Sequence, residues 1–194
     1  NSKILISIRN PIERSHSAYF SYQFMKPNEQ NFMEMIKTHE KLISEKIFYI
    51  DSILESGFYT KNIKRYQEIF GKENVKIIIF EDYIKNTVQN INSIFKFLGI
   101  NDKIDLNEQS KGSYRVPKNF LAKSLLNNKN FRKVSTILIP TVMRQKLGDK
   151  YFLKQVKKPE MLENERNYLR ELYNDEVNEL EKFLGKKLPW KDFH

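Results

Sequence analysis

The residues best placed to do chemistry lie in RNPIERSHSAYF, residues 9–20, directly after the apolar run KILISI. Arg9 ends what reads as a strand, at the carboxyl edge where α/β sheets bind ligands. Asn10 can cap a helix that starts on Pro11, a residue suited to a first helical turn because its missing N–H costs nothing there. The start of that helix adds free N–H groups and partial positive charge. Ser17 lies beyond those groups, so it is no cap, but helical spacing puts it on one face with Glu13 and Arg14. A guanidinium, a helix start and a hydroxyl so arranged describe a grip for an anion. The same residues admit a plainer arrangement, with Arg9 paired to Glu13 and Ser17 packed as a small side chain. His16 points to another face and reads as a packed or surface histidine. The aromatic set Tyr19, Phe20, Tyr22 and Phe24 reads as core, as aromatics on a helix against a sheet usually are.

The elements that position these residues follow from apolar spacing. KILISI (3–8) and VKIIIF (75–80) are short isoleucine-rich runs of the kind found in parallel strands buried on both faces. Helical spacing covers 58–70, stopped by Gly71, and 83–98, with Asp82 as cap and Gly99 as stop. A last long helix follows Pro159 and ends at Gly185. Glu81 is expected to pair with a nearby cation, and Trp190 to pin the last helix. Residues 26–57 read as a polar, lysine-rich helical stretch without a clear apolar pattern. Residues 100–117 read as a long loop, and 118–158 as short helices broken at Pro140 and Gly148. Strand and helix alternate as in an α/β fold with a parallel sheet flanked by helices. Two strands make a marginal parallel sheet. A single domain over 1–194 that lacks an N-terminal βα unit is therefore the expectation.

Composition narrows the function. The chain has 194 residues, 40% hydrophobic and 13% aromatic, enough for a globular core. It has no cysteine, which excludes disulfides, thiolate metal sites and cysteine nucleophiles. Three scattered histidines (His16, His39, His194) give no expectation of a metal. No apolar run approaches the ~20 residues of a membrane span, and the first residues do not form a secretory signal. A cytoplasmic location is the resulting expectation. The net charge of +10 favours an anionic partner: nucleic acid, a phosphorylated cofactor, an acidic glycan or a membrane surface. A lysine-rich surface without a dedicated partner would show the same surplus.

The pattern R-x-P-x-x-R-x-x-S-x-Y after an apolar strand resembles the 3′-phosphate-binding segment of sulfotransferases that use 3′-phosphoadenosine 5′-phosphosulfate (PAPS). Three further segments resemble the family in order: SGFYTKNIKRYQEIFGKENVKIIIFEDY (56–83), SKGSYRVPKN (110–119) and LRELYNDEVNELEKFLGKKLPW (169–190). The family usually has Asp where this chain has Asn10. The resemblance implies a P-loop-NTPase-like α/β fold. It also implies Arg9 and Ser17 on the 3′-phosphate, and Lys111 with the backbone of Gly112 and Ser113 closing on the same phosphate. PAPS is the implied co-substrate and adenosine 3′,5′-bisphosphate (PAP) the product. A glycan acceptor is implied, and neither a metal nor a nucleic-acid partner. The family's 5′-phosphosulfate loop and its catalytic base are expected upstream of residue 1, so no catalytic residue is assigned here. Two other readings remain open: a P-loop nucleotide kinase with the same phosphate grip, and a basic nucleic-acid binder supported only by charge.

Overall fold

The computed structural model describes residues 2–25, 30–47, 52–100 and 115–194. In chain order these hold β1 (Ile4–Ile8), α1 (Pro11–Met25), α2 (Phe32–Ser44), α3 (Thr60–Phe70), β2 (Val75–Ile79), α4 (Phe80–Lys85) and α5 (Thr87–Leu98). Then come β3 (Arg115–Pro117), α6 (Phe120–Asn127), α7 (Lys129–Leu138), α8 (Thr141–Leu147), β4 (Leu153–Gln155) and α9 (Glu163–Leu184). The fold is mixed α/β, mostly helical with a small parallel sheet, in keeping with the alternation of apolar runs and helical spacing. The chain divides into two compact units, one of Asn1–Gln23, Pro27–Asn107 and Met161–His194, the other of Phe24–Lys26 and Glu108–Glu160.

In the first unit β1 pairs in parallel with β2, Ile4 opposite Val75 and Ile8 opposite Ile79. Burial on both faces was the expectation for β1. The strand instead alternates, with Ile4, Ile6 and Ile8 turned inward and Leu5 and Ser7 exposed, as the two-residue period of a pleated strand dictates when one face is covered. The core gathers Ile8, Ile12, Ile63 and Trp190 with the α9 stripe Leu169, Tyr173, Val177 and Leu180, whose spacing of three and four keeps one side of the helix apolar. Trp190 is buried against this core, as expected of it.

α2 corrects the reading of 26–57. Asn31 and Glu34 form a capping box, each side chain accepting from the other's backbone N–H at 2.9 Å. Phe32, Met35, Ile36 and His39 are buried on one stripe, a pattern hidden in the sequence by the intervening lysines. The helix expected over 83–98 is two helices. α4 begins at Phe80, directly on the end of β2, and Asn86 at φ −134°, ψ 58° breaks the helical path before α5. Asp82 therefore lies inside the first turn of α4 and is not a cap. Gly99 and Gly185 end α5 and α9 in the left-handed conformation, as read.

In the second unit β3 pairs antiparallel with β4, Arg115 opposite Gln155, so 115–117 belongs to a strand and not to a loop. Asn119 and Asn128 cap α6 and α7 by accepting backbone N–H bonds. The helices break at Pro140 and Gly148 as expected, and also at Asn128. A π-helical turn, Gly148–Phe152, leads into β4.

Candidate anion-binding site at the end of β1

Arg9 and Asn10 carry the chain from β1 into α1, and a polar network fixes that junction. The Asn10 side-chain oxygen accepts from the Ile12 N–H at 3.0 Å, the capping role read for it. Its backbone N–H donates to Glu81 Oε1 at 2.9 Å, and its amide nitrogen donates to Asp192 Oδ2 at 2.7 Å. Glu81 Oε2 accepts from the Trp190 indole N–H at 3.0 Å. Arg166 donates to Asp192 Oδ1 and to Glu13 Oε1, both at 2.7 Å. Two expectations change here. Glu81 takes two neutral N–H donors in place of a cation, because the start of α4 sets it between α1 and Trp190. Glu13 is paired with Arg166 from α9, which removes it as a partner for Arg9.

Arg9 itself is held through its backbone. The Tyr59 hydroxyl donates to the Arg9 carbonyl at 2.8 Å. Burial pushes the Tyr59 phenol up to about 12 against the opposing pull of Arg14, so it stays a neutral donor at physiological pH. The Arg9 guanidinium lies over the Phe80 ring, 5.0 Å from its centre, a contact a cation makes with an aromatic face. No described carboxylate pairs with it. Arg14 sits close enough to Tyr59 and Tyr173 to stabilise their ionised forms, and its Nη1 is buried without a hydrogen-bond partner among the described residues. Ser17 is half-buried on α1 and has no hydrogen-bond partner among the described residues. Lys111, Gly112 and Ser113 lie outside the described residues.

The segment that supplies Asp192 is anchored in turn. The Leu188 N–H donates to Glu181 Oε1 at 2.7 Å and Lys187 pairs with Glu181 Oε2 at 3.0 Å. Burial works to raise the Glu181 carboxyl, but the Leu188 N–H, Lys187 and His194 hold it below its usual range. Glu176 of α9 caps α3, its Oε1 accepting from the backbone N–H groups of Tyr59 and Thr60 at 2.8 and 2.7 Å. Sequence reasoning missed Glu176, Arg166 and Asp192, because each reaches its partner across more than a hundred residues or from a helix whose polar face carries no distinctive spacing. His16 packs between Phe20 and Phe32 with ring centres 5.0 and 5.1 Å away, the packed one of the two placements read for it.

The electrostatic result is local. Glu13, Glu81 and Asp192 are each engaged by other donors, while Arg9 and the buried Arg14 nitrogen keep donors free beside the start of α1. Cationic donors left without carboxylates fit an anion of phosphate type. Among the described residues no cluster of His, Asp and Glu could hold a metal ion, and no helix is long and apolar enough to cross a membrane.

This junction lies within the span that matches a known family. The family described as sulfotransferase domain matches residues 1–180, and the chain belongs to it. The crystal structure of a sulfotransferase from Alicyclobacillus acidocaldarius shares the fold, with a TM-score of 0.61 and 22% sequence identity over 96% of this chain. The chain spans 56% of that protein's length. No curated protein matches it.

Proposed function

We propose that the chain forms the nucleotide-gripping part of a sulfotransferase that moves a sulfuryl group from PAPS to a hydroxyl or amine, in the cytoplasm, with a carbohydrate as acceptor. Bound PAPS supplies an activated sulfuryl group, whose bond to the phosphate oxygen breaks as the acceptor bonds to sulfur and loses its proton, leaving PAP. The chain's own part is binding and orientation. Arg9 and Ser17 hold the 3′-phosphate, joined by Lys111 and the backbone N–H groups of Gly112 and Ser113. Each charge-assisted bond contributes about 1.5–3 kcal/mol. The observation that carries this reading is the unpaired Arg9 guanidinium, fixed through its carbonyl by Tyr59 at the head of α1, inside the family-matched span.

Thermal unfolding with nucleotides tests it. PAP at about a hundred times its Kd should stabilise the protein by about 2.7 kcal/mol, ATP should not, and Arg9→Ala should abolish the PAP effect. Protection by ATP without protection by PAP would put the kinase reading in its place. For the acceptor we assign the exposed lysines of the 26–57 segment. Charge reversal at Lys37, Lys41 and Lys46, all exposed, should raise the acceptor KM and leave PAP affinity unchanged. Loss of PAP binding in that variant refutes the assignment.

A further inference from the structure

The net positive charge of the chain comes from one stretch. Residues 115–160 hold twelve Lys and Arg against two Asp and Glu, while the rest of the chain holds 22 of each. A lysine-rich composition alone does not produce this, because outside the stretch cations and acids are equal in number.

The same stretch exposes large apolar side chains. Phe120 is 81% exposed, Leu121 71%, Ile137 74% and Leu138 72%. On α7 the inward position belongs to Phe131, whose ring meets Phe152 with centres 6.4 Å apart. Val134, Ile137 and Leu138, three and four residues apart, then share an outward apolar face. On α6 Leu121 and Leu125 are one turn apart and both exposed. Lys118, Lys123, Lys133 and Lys150 of the same stretch are also exposed.

Exposed apolar surface marks a partner, and the charge says which. A glycan or nucleic acid would use the cations and leave Ile137 and Leu138 in water. A protein partner would use the apolar side chains but has no general need of so one-sided a charge. An anionic bilayer takes both at once: apolar side chains enter the headgroup boundary while lysines lie against lipid phosphates. We infer that the exposed apolar side chains of α6 and α7, with the cations of the same stretch, dock on the surface of an anionic phospholipid membrane, lying on it without spanning it. The inference stands apart from the nucleotide reading, which concerns residues of the other unit and the 111–113 segment.

Co-sedimentation of the full chain with vesicles tests it. Binding to vesicles of phosphatidylcholine with about a third phosphatidylglycerol should exceed binding to phosphatidylcholine alone by at least about tenfold, and should weaken from ~0.1 to ~0.5 M NaCl. The double variant I137D/L138D should fall to the level of phosphatidylcholine alone with an unchanged far-UV spectrum, since both positions are exposed. K123E/K133E should lose most of the salt-sensitive part. I69D, an exposed apolar position on α3 in the charge-balanced part of the chain, should bind as the wild type does. Equal binding to both vesicle types, or full binding by I137D/L138D, overturns the proposal. A mass by light scattering that rises with concentration and reverts in I137D/L138D would also overturn it, by assigning the face to a second copy of the chain.

Discussion

Asn10 shows how one side chain can be set by a partner far away in sequence. Here the residue must donate as well as accept: its oxygen takes the Ile12 N–H, and its nitrogen gives to Asp192 at 2.7 Å. A carboxylate at position 10 would face the Asp192 carboxylate at that distance, in a buried spot. N10D should therefore lose a charge-assisted bond of about 1.5–3 kcal/mol and add like-charge repulsion, lowering both the denaturation midpoint and PAP affinity. In N10D/D192N the amide sits on the other side and the bond reforms with its direction reversed, while an oxygen at 192 still accepts from Arg166. A double-mutant cycle by urea unfolding, with PAP affinity alongside, should show the second substitution recovering most of the loss. Additive losses would mean that the two side chains do not act as a pair.

Among the elements, the junctions depend on close approach. The 3-10 turn Glu55–Gly57 leads into α3 beneath Tyr173 of α9. A Cβ at Gly57 would lie 2.8 Å from the Tyr173 hydroxyl and 2.9 Å from its ring carbons. Tyr173 cannot give way easily. It is fully buried, donates to the Leu54 carbonyl at 2.9 Å and accepts from the Ser15 hydroxyl at 2.9 Å. Gly57 has no positive φ, so space and not backbone freedom selects the glycine. G57A should cost ~1–3 kcal/mol in urea unfolding, the range for overpacking a core, and G57A/Y173F should not recover it, because the ring carbons remain in the way. An unchanged midpoint for G57A would show that α9 can shift to make room.

At the scale of the molecule, the sequence carried what is local and periodic. The isoleucine runs, the glycine stops and the buried stripe of α9 follow from spacing within one element, and the structure has them. The capping of α1 by Asn10 was legible for the same reason. What was not legible is long-range: Glu176 capping α3, Arg166 bridging Asp192 and Glu13, and the short strand pair 115–117 with 153–155, three residues a side and so without a period to read. The lysines of α2 hid its apolar stripe, and the helix break at Asn86 has no proline or glycine to announce it.

The division of charge gives the last prediction its sign. The twelve cations in residues 115–160 repel one another with only two acids to offset them, so salt should relieve a cost carried by α6, α7 and α8. Outside that stretch cations and acids balance, and exposed pairs such as Lys64 with Glu179 at 2.6 Å gain nothing from screening. Hydrogen exchange followed by mass spectrometry from ~0.02 to ~0.3 M NaCl should therefore show amides of α6–α8 becoming several-fold more protected, while those of α3 and α9 stay level or loosen slightly. A uniform response along the chain would mean that the cations of 115–160 are already neutralised by the fold itself, and that their excess does not strain the unit they occupy.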